Sequence, residues 1–437
     1  MIDAAVQTKR ASVQTLGCRL NQSESLMIQE SLRGDGYDLV PFGEPADLCV
    51  INTCTVTAQA DAKARNMIRQ FARKNPEAFL AVVGCYSQMG DKAIADIDGV
   101  DLIIGTQEKL NVLNYAKLGK NESPLVIRDH ILRDDFTIQV NGESGYSRRA
   151  NLKIQDGCDF MCSFCIIPFA RGRGRSRDME NLLEEARQLI ARGVKELILT
   201  GVNVGTYDFE GQDVLDVVNR LNELEGLSRL RISSIEPTTI PSGLFECIND
   251  PEHVLVPYLH IPLQSGSNTV LQTMKRKYSI EEYLDFIRMA DTAVQDLCIG
   301  TDILVGSAGE TAEAFEATCQ IFQEGPFAYA HVFTYSEREG TPALNYDGHV
   351  PVPERQRRNS VLRKLSEEKR AAYYQRFLGR ECEVLFEDPK DGWWPGYTQN
   401  YIRVMVRSES DLKNSIHRVR LNELSADFVI GSLVEQV

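Results

Sequence analysis

The chain has 437 residues, 43% of them apolar, and a formal net charge of −14. That length accommodates two or three domains with sizeable cores, and the acidic balance argues against nucleic-acid binding except where positive charge is concentrated locally. No apolar run approaches ~18 residues and the N-terminus lacks a signal-length apolar core, so a soluble, cytoplasmic protein is expected.

In chain order, strand signals fall at 12–16, 47–52, 79–83 and 101–104, alternating with helical stretches that open near Ser23 and span 61–74. Such alternation predicts an open parallel sheet with helices on its faces. Cys18, Cys54 and Cys85 each fall just past the end of a different strand. Loops at the carboxyl edge of such a sheet lie side by side and bind ligands, so these thiols should converge. Cys49 lies inside its strand and reads as core. The eleven cysteines are odd in number and irregular in spacing, which fits metal or catalytic use in a reducing compartment and not a disulfide framework.

Further strands are expected at 150–154, 196–200, 229–233, 256–261, 297–304 and 328–333, enough for an incomplete parallel barrel. Reactive residues in such barrels sit in the loops after strands. After the first strand comes Cys158-Asp-Phe-Met-Cys162-Ser-Phe-Cys165. Three thiolates leave one iron of a [4Fe–4S] cluster open, whereas structural zinc is closed by four ligands. No histidine lies between Gly157 and Arg177 to complete a zinc site. Zinc and plain buried thiols remain the alternatives at this point. The following loops carry Gly201 and Asn203, then Ser234 and Glu236, then Gln264, with Asp302 near the end of the fifth strand. Polar residues there can also be ordinary turn-formers. Cys247, Cys298 and Cys319 read as core.

Charge is uneven. Arg171, Arg173, Arg175 and Arg177 alternate after the cysteine triad, and 353–380 holds nine Lys/Arg against three Glu. Either run could be a basic stripe for RNA, or a solvated loop and helix face. Short strands near 380–386, 396–398, 401–406, 417–421 and 427–431 suggest a small β-barrel of the oligonucleotide-binding kind. Trp393, Trp394, Tyr397 and Tyr401 could stack on bases there, although some must form its core.

The Cys158–Cys165 triad, with Phe164 before its third cysteine, resembles the signature of the radical S-adenosylmethionine (SAM) enzymes. The longer run from Gln155-Asp-Gly through Cys165-Ile-Ile-Pro-Phe-Ala-Arg-Gly resembles one branch, the methylthiotransferases, and so do Gly17-Cys18-Arg-Leu-Asn-Gln-Ser-Glu-Ser, Asn52-Thr-Cys54 and Gly84-Cys85-Tyr. The resemblance implies an α/β fold in three parts: an N-terminal open-sheet domain over 1–144, a (β/α)6 radical SAM barrel over 145–375, and an RNA-binding TRAM barrel over 376–437. It implies two [4Fe–4S] clusters, one on Cys18, Cys54 and Cys85 and one on Cys158, Cys162 and Cys165. These six cysteines would carry the catalysis. SAM would be held by Phe164, Gly201, Asn203, Ser234, Glu236, Gln264 and Asp302.

The implied activity is a radical installation of methylthio on carbon 2 of an adenosine beside the tRNA anticodon. Partners would be the tRNA anticodon stem-loop and a flavodoxin- or ferredoxin-type electron donor, with no membrane and no DNA. Arg19-Leu20 after the first cysteine and Ala170-Arg-Gly-Arg-Gly-Arg-Ser-Arg177 look most like the branch acting on N6-threonylcarbamoyladenosine. Branches acting on isopentenyladenosine or on a ribosomal-protein aspartate are the enzymatic alternatives, and a zinc-stabilised RNA-binding protein is the non-enzymatic one. One segment departs from the family pattern: Ser307-Ala308 stand where Phe-Pro is usual.

Overall fold

The computed structural model describes residues 8–138 and 149–434, so the boundary expected at 144/145 lies outside the described residues. The N-terminal part is one parallel sheet, ordered β2-β1-β3-β4-β5-β6. Its strands are β1 (Arg10–Thr15), β2 (Asp38–Leu39), β3 (Leu48–Thr53), β4 (Phe79–Gly84), β5 (Leu102–Ile104) and β6 (Leu125–Ile127). Strands β2 and β6 are additions to the expected four; both are edge strands of only two and three residues, too short for a periodic signal. Every residue of β3 is buried, as a central strand covered on both faces must be. Its alternate residues serve two cores: Cys49 and Ile51 pack with Ile68 and Phe71 of helix Ala58–Lys74, while Leu48 and Val50 pack with Ile28 and Leu32 of helix Arg19–Gly34. Helix Ala58–Lys74 starts where Thr57 accepts a bond from the Ala60 N–H at 3.1 Å. It stops at Asn75, the residue before Pro76, where α geometry is disfavoured.

The central part begins with β7 (Arg149–Lys153), then β8 (Gln155–Asp156) and β9 (Arg175–Ser176), which pair with each other across the cysteine loop. Next come β10 (Glu196–Thr200), β11 (Arg229–Ile232), β12 (Tyr258–His260), β13 (Cys298–Val305) and β14 (Tyr329–Thr334). Two parallel sheets, β7-β10-β11 and β12-β13-β14, are joined by a bridge between Leu230 and Leu255. The result is a six-stranded partial barrel. Helix Arg19–Gly34 covers its open side beside β7, where the Ser23 hydroxyl donates to the Asn151 carbonyl at 3.3 Å. Helix Val352–Gln375 covers β14: the Ser366 hydroxyl lies 2.9 Å from both backbone groups of Ala330.

The C-terminal part is a closed five-stranded barrel, ordered β15-β16-β17-β19-β18. Its strands are β15 (Glu381–Phe386), β16 (Trp394–Thr398), β17 (Arg403–Val406), β18 (Ile416–Ser425) and β19 (Phe428–Leu433). Its core runs without a break into the base of the central barrel, because Val384, Phe386 and Trp394 share one cluster with Tyr258, Tyr329 and Tyr373. No helix of the described chain is long and apolar enough to cross a membrane.

The run after the cysteine triad is largely structural, whereas the 353–380 run turns Arg355 and Arg358 inward and leaves Arg357, Arg363, Lys364, Arg376 and Arg380 exposed. Arg171 and Arg177 are buried, and Arg175 keeps only 8% of its side chain exposed. Arg177 pairs with Glu185, and in the long helix Arg355 pairs with Glu337 and Arg358 with Glu310. Guanidinium groups at these positions close loops over the barrel. Trp394 is core, its indole N–H donating to the Ser408 carbonyl at 3.2 Å.

Candidate active site

The three N-terminal cysteines come together as the strand-end argument requires. Cys18 is the N-cap of helix Arg19–Gly34, Cys54 follows β3, and Cys85 follows β4 and begins a short helix. Each lies in the electrostatic field of the other two. The loops approach so closely that a Cβ at Gly17 would sit 2.5 Å from the Cys54 Cβ and 2.9 Å from its sulfur. At Gly84, with φ +99°, a Cβ would meet the Asn52 carbonyl oxygen Oδ1 at 2.5 Å. Asn21 stitches two of the loops, its amide donating to the carbonyls of Leu16 at 2.7 Å and Thr53 at 2.9 Å. Asn52 returns the bond, donating to the Asn21 carbonyl at 3.0 Å. Burial pushes the Cys54 thiol up to about 12 and raises Cys85 as well. Cys49 is also buried and pushed up to about 12, but it faces the Ile68 and Phe71 core.

The second triad occupies one loop. Met161 takes a left-handed conformation, φ 48°, to turn the chain between Cys158 and Cys162. Again each thiol feels its companions; burial raises Cys158 to about 11 and Cys165 to about 12. Gln155 clamps this loop to the next one. Its amide donates to the Gly157 carbonyl at 2.8 Å, and its carbonyl accepts from the N–H of Val202 at 2.9 Å and Asn203 at 3.2 Å. Gly201 is needed there, because a Cβ would come within 2.8 Å of the Gln155 oxygen. On the other side Arg276 donates to the Cys162 sulfur at 3.4 Å and also pairs with Glu236. Burial raises the Glu236 carboxyl despite the Arg276 charge.

Three of the residues expected to contact SAM share one cavity. Phe164, Cys165, Gln264 and Asp302 border a cavity of about 190 Å³, closed opposite by Val56 and Thr57 of the loop that follows Cys54. Gln264 is left-handed, φ 66°, with its N–H on the Asp302 carbonyl at 2.8 Å. The Asn203 amide nitrogen is buried without a hydrogen-bond partner, while its oxygen accepts from the Glu236 N–H at 3.3 Å. Ser234 is half-buried beside them. Asp302 already has partners: its carboxylate lies 2.9 Å from His260 and 3.4 Å from His331. Burial alone would raise it, but the two imidazoles overturn that and hold it below the usual carboxylate range.

Between the triads lies a buried ionic cluster that sequence reading missed. Glu24 meets Lys109 at 2.6 Å, Lys153 at 2.9 Å and Arg171 at 3.0 Å, and Asp156 meets Lys153 at 2.7 Å and Arg171 at 2.9 Å. Arg171 also donates to Asn21 at 2.6 Å. Burial would raise Glu24, yet Arg171, Lys109 and Lys153 hold it well below the usual carboxylate range. The signal was present: Asn21 and Glu24 lie on one helix face, one turn apart, directly after Cys18. Four cations, with Arg175 also on Asp156 at 3.5 Å, against two acids leave net positive charge beside the Cys85 thiol, the setting an anionic thiolate cluster favours. Each triad thus offers three close thiols in a partly dry, glycine-relieved cradle with compensating cations, a donor set that fits a [4Fe–4S] cluster with one iron open.

The comparisons agree with this architecture. Residues 152–322 match the radical SAM superfamily, and residues 10–105 match a family described as uncharacterized protein family UPF0004. A solved radical SAM methyltransferase, TsrM from Kitasatospora setae, superposes with a TM-score of 0.56 at 14% identity, covering 77% of each chain, a likeness of fold. Threonylcarbamoyladenosine tRNA methylthiotransferase MtaB of Bacillus subtilis is 37% identical over 97% of this chain and 96% of its own. The tRNA-2-methylthio-N(6)-dimethylallyladenosine synthase of Anaplasma phagocytophilum is 32% identical over 87% of both chains. A partial barrel with a cysteine triad after its first strand is the architecture of radical SAM enzymes. Within that class the chain belongs to the tRNA methylthiotransferase family.

Proposed function

We propose that the protein installs a methylthio group on carbon 2 of N6-threonylcarbamoyladenosine beside the anticodon of tRNA. The observation carrying this reading is the 37% identity, over nearly the whole of both chains, to the Bacillus subtilis enzyme named for that nucleoside. Cys158, Cys162 and Cys165 would hold one [4Fe–4S] cluster, and Cys18, Cys54 and Cys85 the other. When bound, the clusters and SAM supply the radical and the sulfur that no side chain can. The chain's own residues position and shield. Gln155 and Arg276 brace the Cys158–Cys165 loop, and Asn21, Asn52 and Gly84 brace the other. Glu24, Asp156 and Arg171 lock the two loops at a fixed separation. Phe164, Gly201, Asn203, Ser234, Glu236, Gln264 and Asp302 would line the SAM site, and the cavity of about 190 Å³ would admit the target base with water excluded.

An external low-potential donor of flavodoxin or ferredoxin type would reduce the Cys158–Cys165 cluster, and the anticodon stem-loop would dock beside the C-terminal barrel. Mass spectrometry of tRNA nucleosides from a deletion strain tests the reading. Loss of the methylthio-threonylcarbamoyladenosine peak is expected. Retention of that peak with loss of the methylthio-isopentenyladenosine peak would instead establish the second reading, which the Anaplasma relative supports.

A further inference from the structure

We propose that His260, Asp302 and His331 form a divalent-cation site on the inner wall of the partial barrel, placed to receive the carboxylate of the substrate's N6 side chain. The carboxylate half of this rests on the threonylcarbamoyl reading; the cation half does not. Three adjacent parallel strands present the ligands in register: His260 on β12 opposite Gly300, and Asp302 on β13 opposite His331 on β14. Their donor atoms all lie within 4.8 Å of one another. His260 Nε2 and His331 Nδ1 stand 2.9 and 3.4 Å from the same Asp302 oxygen. Ligands on bonds of about 2.1 Å are separated by about 3.0 Å at a right angle and about 3.4 Å at the tetrahedral angle. Two of the three spacings therefore match a coordination sphere, and the third is no more than 4.8 Å. Two imidazoles and one carboxylate suit a first-row divalent ion and leave positions open.

The neighbouring residues fix the orientation of the His260 ring. The His260 side chain is only 6% exposed, and its Nδ1 has no hydrogen-bond partner. Packing holds the ring instead: a Cβ at Gly300 would lie 2.8 Å from that nitrogen and 2.6 Å from the Tyr329 hydroxyl. Gly300 thus leaves room for an imidazole whose Nε2 faces Asp302.

Position gives the site its use. Asp302 lines the cavity of about 190 Å³ between the two cysteine loops, while His331 lines a neighbouring hollow of about 180 Å³ with Tyr397, Tyr401, Arg370 and Arg403. Asp302 and His331 thus stand on the two sides of the partition between the hollows, with His260 against Asp302. An adenosine whose carbon 2 faces the first cavity must place its N6 substituent elsewhere along that wall. A bare Asp302 would repel a carboxylate arriving there; a bound cation reverses the sign and offers it a ligand position.

The test is a Mn²⁺ titration of the anaerobically reconstituted holoenzyme, followed by electron paramagnetic resonance. Mn²⁺ is the probe because it favours oxygen ligands over thiolate and so avoids the cysteine triads. One saturable site per chain is expected, at least tenfold weaker in His331→Ala and in Asp302→Asn at unchanged iron content. His331→Gln, which keeps the volume of a half-exposed side chain, should weaken it similarly and guards against misfolding. Absence of a saturable site, or its survival in all three variants, overturns the proposal. Reciprocity then tests the carboxylate: the same tRNA should tighten Mn²⁺ binding at least fivefold more with its threonylcarbamoyl group than without it. Equal tightening overturns that contact. Saturable Mn²⁺ binding lost in the variants supports the cation site whatever nucleoside analysis finds, so failure of the substrate reading is seen separately.

Discussion

The two cysteine triads reach the same kind of geometry by opposite routes. One is spread over sixty-eight positions and gathered by a sheet; the other lies within eight positions of one loop. In the first, strand ends, two asparagines and two glycines fix the thiols, so position is inherited from a buried β3-β4 core. In the second, the loop has no regular structure, and Gln155 and Arg276 must hold it from outside. A dispersed site is as rigid as the fold that gathers it, whereas a local site depends on its immediate braces. The buried ionic cluster around Glu24 joins the two.

The largest effect should come from breaking that junction. Glu24→Ala leaves Lys109, Lys153 and Arg171 buried without their shared counter-ion. Removing one partner of such a group destabilises by about 3–5 kcal/mol. Anaerobic denaturant titration should show that loss, with methylthiolation abolished. A fall under 1 kcal/mol would mean that the junction is hydrated and does not set the separation of the triads.

Next comes the division of labour between the triads. Cys162→Ser should abolish reductive SAM cleavage. Cys54→Ser should lower reconstituted iron from about eight to about four atoms per chain while SAM cleavage persists and methylthiolation is lost. Full methylthiolation in Cys54→Ser would break the comparison. A smaller effect is expected for the braces. Arg276→Ala removes the donor to Cys162 and the partner of Glu236, and outer-sphere losses of this kind lower activity about 10–100-fold. The drop should appear in SAM cleavage, with auxiliary iron intact.

Much of this is legible in the sequence. The strand-end positions of Cys18, Cys54 and Cys85 followed from periodicity and turn residues, and β10 fell at the expected 196–200. What was not legible required long-range contact. Nothing local distinguishes Arg171, buried against Glu24, from Arg173, about half exposed two positions on. The two belong to one alternating run, but Arg171 ends the short helix Ile167–Arg171 while Arg173 lies between that helix and β9. Likewise His260 and His331 are single histidines on separate strands, and only barrel register brings them to Asp302. Tyr397 and Tyr401 are two of the four aromatics that the sequence offers either for base stacking or for the barrel core. Their rings instead stack on each other at 4.9 Å beneath Arg149 and Arg231, because the small barrel is welded to the large one there.

The finest discrimination concerns two cysteines on one strand and its loop. Cys49 and Cys54 are both buried, and burial raises both to about 12, so thiol chemistry alone does not separate them. Geometry does: Cys49 faces Ile68 and Phe71, and Cys54 faces the Cys18 loop. Cys49→Ala should therefore leave iron content, SAM cleavage and methylthiolation at wild-type levels. It should lower stability by about 1 kcal/mol, the scale of a small volume lost from a packed core. A loss of about four iron atoms in Cys49→Ala would place that thiol in the auxiliary site. The site would then belong to the β3 strand itself and not to the loops at the sheet's edge.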